Sequence, residues 1–87
     1  MYVVLVYDIG EKRVNKVLKI ARKYLTWMQN SVLEGEITRA TYEKFKVELN
    51  RIIKKEEDSI IFYILPTKKY LTTEIMGKEK GAEELFL

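Results

Sequence analysis

Asp8 closes an apolar run, Tyr2-Val3-Val4-Leu5-Val6-Tyr7, and is followed at once by Ile9-Gly10. A carboxylate at the end of a strand buried on both faces is held rigidly where a loop begins. That position suits a metal ligand, and it equally suits a cap on the next helix. The chain has no His and no Cys. A metal site must therefore be built from oxygen, which points to Mg²⁺ or Mn²⁺ rather than Zn²⁺. A second pattern lies just downstream. Residues 12–24 carry six cations, Lys12, Arg13, Lys16, Lys19, Arg22 and Lys23, and no acid. On a helix, Lys12, Lys16, Lys19 and Lys23 fall within about 60° of one another. Like charges at this spacing repel, so an uncompensated row implies an anion, and nucleic-acid phosphate is the anion favoured. The competing reading is a solvated, lysine-rich face. No recognition-helix, zinc-finger or aromatic RNA-binding signature is present, so base-specific reading is not expected.

The elements that must position these groups follow from hydrophobic spacing. Residues 2–7 are apolar on both alternating faces, the pattern of a central strand. Val14, Val17, Leu18, Ala21 and Leu25 recur at helical spacing and predict a helix over residues 12–24. Residues 27–37 read as a compressed hairpin, with Asn30-Ser31 and Glu34-Gly35 both available as its turn. Thr38 offers an N-cap for a second helix over residues 38–55, with Tyr42, Phe45, Leu49, Ile52 and Ile53 as its apolar stripe. Asp58-Ser59 opens a strand over residues 60–65, ended by Pro66. Residues 72–76 are expected as a short last strand, and residues 78–87 as a weakly structured acidic tail. The order β-α-β-β-α-β with an appended strand gives an α+β, ferredoxin-like sandwich with both helices on one face of the sheet. Its other face is left bare. Because the first and fourth strands are apolar on both sides, that face must meet something, most simply a second copy of the chain.

Eighty-seven residues make one domain, here residues 1–77 with the tail beyond. With 47% hydrophobic residues and no disulfide, oligomerisation is an expected source of further buried surface. No run approaches the roughly 20 apolar residues that span a membrane. The N-terminus lacks the features of a signal peptide, so a cytoplasmic chain is expected. The net charge of +3 hides an asymmetry: residues 1–55 carry 12 Lys/Arg against 6 Asp/Glu, and residues 56–87 carry 4 against 7. The amino-terminal part is therefore basic and the remainder acidic, and local charge decides partners.

Four segments together resemble the second CRISPR-associated (Cas) protein family. They are Tyr7-Asp8-Ile9 after an apolar strand, Arg13 on the following helix, Gln29-Asn30-Ser31-Val32-Leu33-Glu34-Gly35, and Asp58-Ser59-Ile60 before a strand ending Tyr63-Ile64-Leu65. The resemblance covers residues 1–77 in order and spacing, and its Gln-x-Ser-Val-x-Glu-Gly segment is the most specific part. It implies a ferredoxin-like homodimer packed through the sheets, with residues 72–76 passed onto the partner's sheet. It also implies that Asp8 lies near the dimer axis, where two copies hold a divalent ion and promote phosphodiester hydrolysis. The implied setting is spacer acquisition, in which the dimer bridges copies of the CRISPR integrase and supports a DNA duplex. One departure stands out. Many members carry consecutive arginines after the aspartate, and here the run is Glu11-Lys12-Arg13-Val14, which keeps charge but reduces bidentate gripping of phosphate. Leu33 also stands where Phe is usual.

The expected roles are then specific. Asp8 is the metal ligand and, with Arg13, the catalytic pair, Arg13 stabilising charge that develops on the phosphate. Lys12, Arg13, Lys16, Lys19 and Lys23 are the nucleic-acid contacts. Gln29 and Ser31 join them or bond within their own hairpin, the second being favoured. Glu34 is expected to pair with Arg39 or another surface cation, and Trp27, Tyr2 and Tyr7 to pack. The tail is either a docking peptide for the integrase or a frayed terminus. The favoured function is a Mg²⁺- or Mn²⁺-dependent endonuclease of single-stranded RNA and/or duplex DNA, working with the integrase in antiviral defence. Its alternatives are a non-catalytic DNA-binding adaptor and an unrelated, toxin-like RNA-cleaving module of the same fold.

Overall fold

In the computed structural model, which describes residues 1–80, side-chain alternation sorts strand β1 (Tyr2–Asp8) between two environments. Val3 and Leu5 are fully buried beneath the helices, and Tyr7 packs against the same core. Tyr2, Val4, Val6 and Asp8 point to the opposite face. Strand β1 is hydrogen-bonded on both edges, to β3 (Val32–Glu36) and to β4 (Ser59–Leu65), and β2 (Thr26–Gln29) lies outside β3. The sheet order is β2-β3-β1-β4, antiparallel throughout. Helices α1 (Val14–Ala21) and α2 (Arg39–Asn50) share one core with the sheet through Val17, Ala21, Tyr42, Phe45 and Leu49. This is the ferredoxin-like layout that the element order predicts.

Phe45 is the hub of the core. Its ring stacks on Tyr24 at 4.7 Å and meets Phe62 edge-on at 5.8 Å, while Tyr42 meets Phe62 edge-on at 5.2 Å. The aromatic contacts tie the second helix to the first and to β4.

Both helices are shorter than their apolar stripes predict, for identifiable reasons. The Gly10 carbonyl accepts hydrogen bonds from the Arg13 and Val14 amides, so regular helix begins only at Val14. At the other end the Lys23 amide bonds the Ile20 carbonyl and the Tyr24 amide the Ala21 carbonyl, a tightened last turn rather than continued α-helix. Thr38 caps α2 as expected, its hydroxyl accepting from the Thr41 amide at 3.1 Å. That helix stops at Asn50 instead of extending to residue 55, because the Lys54 amide turns back to the Asp58 carboxylate at 2.8 Å. The hairpin turns at Asn30-Ser31, with Asn30 in the left-handed region at φ 42°, a conformation Asn tolerates better than most residues.

Two expectations concern the carboxyl-terminal segment. Residues 72–76 form no strand within the single chain; Thr73 and Ile75 line a hollow with Met28 and Glu34 instead. Of the tail, residues 81–87 lie outside the described residues. Beside this segment the open face stays uncovered, with Ile61 47% and Tyr63 56% exposed. Among the described residues no helix is long and apolar enough to cross a membrane.

Phe45→Ala is expected to destabilise the domain by about 3–5 kcal/mol, because it removes a fully buried ring together with its packing on Tyr24 and Phe62. Urea denaturation followed by far-ultraviolet circular dichroism measures the loss.

Candidate active site and nucleic-acid interface

One end of the sheet collects most of the chemistry. Asp8 is the last residue of β1, exposed on the open face, and pairs in register with Ser59 at the start of β4. Directly opposed residues of an antiparallel pair place their Cβ atoms about 4.5–5.5 Å apart on one face, so Ser59 is the cross-strand neighbour of Asp8 on that face. Among the described residues Asp8 has no hydrogen-bond or ion-pair partner. It is not a helix cap: the residue preceding α1 is Arg13, and no side chain caps that helix.

Arg13 occupies a different place from the one its position in the sequence implies. Its Nε donates to Asp58 Oδ2 at 2.6 Å, and its Nη2 donates to Asp58 Oδ1 and to Glu57 Oε2, both at 2.8 Å. The side chain is 13% exposed and the Asp58 side chain 0%. The guanidinium thus bonds two carboxylates of its own chain, where the sequence reading expects it to face phosphate. Asp58 also accepts from the Gly10 amide at 2.8 Å and from the Lys54 amide. The Arg13 hydrogen bonds, ahead of those from the Lys54 and Gly10 amides, hold the Asp58 carboxyl far below the usual carboxylate range. They push Arg13 upward in turn.

The β2–β3 turn flanks the same end. The Tyr7 amide donates to the Ser31 carbonyl at 3.0 Å, bringing the turn beside the last residues of β1. Tyr7 Oη and Trp27 Nε1 both donate to the Asn30 carbonyl, at 3.2 and 2.9 Å. Trp27 is therefore a packing residue, with Arg22 over its ring at 5.3 Å. The side chains of Gln29 and Ser31 make no hydrogen bond within the hairpin. Backbone and aromatic donors already fix the turn, so the favoured hairpin role of these two residues is not realised and they stay available to phosphate.

The lysine row divides. Lys12, Lys16 and Lys19 are exposed with no acidic partner among the described residues. Lys23 instead meets Glu48 of α2 at 3.1 Å. It follows the end of regular helix, as Lys12 precedes its start, so only Lys16 and Lys19 of the row stand on α1 itself. Lys16 and Lys19 lie opposite the buried Val17 and Ala21, on the outside of the helix layer. Asp8 lies on the other side of the sheet. The sequence places cations and carboxylate within a few residues; the fold puts them on opposite layers.

Glu34 is buried rather than paired with Arg39. It accepts from Tyr2 Oη at 2.8 Å, while Arg39 meets Glu43 at 3.7 Å. Burial, and then this hydrogen bond, push the Tyr2 phenol up to about 12. Ser59 and Asp58 are the residues that motif reading passed over as functional. Cross-strand register with Asp8 is the signal for Ser59, and an acid directly before a strong strand is the signal for Asp58.

The chain as a whole is similar to known proteins. The family described as CRISPR associated protein Cas2 matches residues 1–73. The chain belongs to the Cas2 family. A relative from Dictyoglomus turgidum, named CRISPR-associated endoribonuclease Cas2, is 58% identical over 87 residues and is covered completely, as is this chain. One of the same name from Thermotoga maritima is 55% identical over 83 residues, 95% of each chain. A crystal structure of Cas2 superposes with a TM-score of 0.85 at 44% identity, covering 92% of this chain and 90% of its own. The Cas2 of Streptococcus pyogenes gives 0.72 at 33% identity, covering 85% and 99%.

The Asp58 clamp carries a pH signature. A depressed folded pKa contributes stability that is fully present above the unfolded carboxylate value of about 3.9 and is lost as pH falls through the folded value. Urea midpoints measured from pH 7 down to pH 2.5 are expected to fall more steeply below about pH 4 for wild type than for Asp58→Asn, which starts lower and changes less.

Proposed function

We propose that this chain is a Mg²⁺- or Mn²⁺-assisted endonuclease acting as a sheet-to-sheet homodimer, with single-stranded RNA and/or duplex DNA as substrate. The observation that carries this reading is Asp8, an exposed carboxylate whose side chain has no partner among the described residues, at the end of the central strand on an apolar face that is only partly covered. Two copies joined through that face bring two Asp8 residues to one cleft. The name endoribonuclease borne by the relatives supports phosphodiester chemistry at that cleft.

The donor set suits a hard cation. Among the described residues no three His, Cys, Asp or Glu converge to form a closed cage. Mg²⁺ is commonly held by one or two carboxylates, completed by waters and substrate phosphates, and Asp8 beside Ser59 matches that pattern. When bound, the ion supplies Lewis acidity to a phosphoryl oxygen. The chain does the rest: Asp8 anchors the ion, Val4, Val6 and Ile61 wall the cleft with apolar surface, and Gln29 and Ser31 offer hydrogen bonds to backbone phosphates at its rim. In this reading the dimer works in the cytoplasm, in spacer acquisition, beside the CRISPR integrase.

A second reading, the non-catalytic adaptor, has an observation of its own. Lys16 and Lys19 lie on the outer side of the helix layer, away from Asp8, so nucleic acid held along that helix face does not reach the carboxylate. In a sheet-to-sheet dimer the two lysine ridges form the outer flanks, an arrangement that suits support of a long duplex more than its cleavage.

Cleavage of labelled single-stranded RNA and duplex DNA with Mg²⁺, Mn²⁺ or EDTA separates the two. Metal-dependent cutting by wild type, reduced at least a hundredfold in Asp8→Asn, is expected for a nuclease, whereas no cutting by either protein favours the adaptor. Lys12→Glu, Lys16→Glu and Lys19→Glu combined are expected to weaken duplex binding and to lower the slope of log affinity against log salt by about 3. Fluorescence anisotropy at several salt concentrations reads both quantities, with Lys23→Glu as a control that leaves them nearly unchanged.

A further inference from the structure

Asp8 lacks a side-chain partner, so its aim depends on the backbone around it. Three anchors hold that backbone. Ser59 pairs with Asp8 across one edge of β1, the Ser31 carbonyl accepts from Tyr7 across the other, and the Gly10 amide, two residues beyond Asp8, is tied to Asp58. The first two are ordinary sheet contacts. The third is made by a buried charge, and that charge is saturated: Oδ1 accepts from the Gly10 amide and Arg13 Nη2, and Oδ2 from Arg13 Nε and the Lys54 amide. A carboxylate with both oxygens doubly occupied and its side chain wholly buried has nothing left for substrate, proton or ion. Its effect is on position.

Gly10 fits this arrangement for a steric reason. A Cβ at position 10 would stand 2.5 Å from Arg13 Nη2 and 3.4 Å from Asp58 Oδ1. Glycine is thus needed so that the guanidinium can lie against the loop, and not because of an unusual φ, since Gly77 is the one glycine of positive φ among the described residues. Gly10, Arg13 and Asp58 form a three-part clamp that joins the exit of β1 to the entry of β4, the two strand ends carrying Asp8 and Ser59.

We propose that Asp58 is a positioning residue for Asp8, acting through Gly10 and Arg13 to fix the direction in which the carboxylate leaves the sheet. The inference rests on the reading of Asp8 as the metal-holding group. Groups that orient a ligand from behind typically change metal affinity 10–100-fold when removed, and Arg13 and Asp58 acting as one unit must show non-additive effects.

The test is direct Mn²⁺ binding by electron paramagnetic resonance, without nucleic acid, on wild type, Asp8→Asn, Asp58→Asn, Arg13→Gln, the Arg13→Gln/Asp58→Asn double variant and Gly10→Ala. Asp8→Asn is expected to abolish specific binding. Asp58→Asn, Arg13→Gln and Gly10→Ala are each expected to weaken it about tenfold, the double variant no more than either single one. In wild type the Gly10 amide should be protected from hydrogen exchange, and that protection should be lost in Asp58→Asn. Gly10→Ala keeps every charge, and so decides the question if the charge variants fold poorly. Wild-type affinity in Asp58→Asn and Gly10→Ala, with binding lost in Asp8→Asn, overturns the positioning role alone. Additive losses in the double variant overturn it too, because Arg13 would then act independently. Unchanged binding in Asp8→Asn, or no Mn²⁺ binding by wild type, overturns both this inference and the reading of Asp8.

Discussion

The structure depends on a single constraint, the burial demanded by β1. This strand is hydrogen-bonded along both edges and carries apolar side chains on both faces. Its helix-facing side chains, Val3 and Leu5, find full burial against Val17, Leu33 and Phe45. The opposite side chains find only a partial cover. Everything distinctive about the molecule follows from that imbalance: one face is a finished core, the other is apolar surface ending in a carboxylate.

The charge distribution follows the same two-layer logic. Lys16 and Lys19, with no acidic partner among the described residues, lie on the outside of α1, while Asp8 lies on the other side of the sheet. Other cations are paired within the chain: Arg13 with Asp58 and Glu57, and Lys23 with Glu48. Membership of the Cas2 family sets aside an unrelated module of the same fold and leaves nuclease and adaptor as readings of one architecture.

The fold was legible because its signals are local and redundant. Alternation in residues 2–7, helical spacing at Val14, Val17 and Ala21, and the Thr38 cap each point to the element observed. What escaped was set by long-range partners. The start of α1 and the end of α2 are exceptions, decided by local hydrogen bonds at Gly10 and Asp58 that apolar periodicity does not encode. Arg13 reads in the sequence as one more cation of the basic helix, yet its partner Asp58 lies 45 residues away. Lys23 reads as part of a row, yet it pairs with Glu48 of α2. Asp8 itself was legible, since a polar residue ending a two-faced apolar strand is conspicuous in one dimension. Its neighbour Ser59 was not, because only strand register brings the two together.

The double hydrogen bond at the Asn30 carbonyl has an optical consequence. Trp27 is the one tryptophan in the chain, and its indole N–H is fastened to the same oxygen as the Tyr7 hydroxyl, one residue before Asp8. The indole therefore serves as an intrinsic chromophore wired to the strand end that carries the candidate carboxylate. Its emission reports on that corner of the sheet rather than on the molecule at large, and events at the cleft can be followed by light without attaching a label.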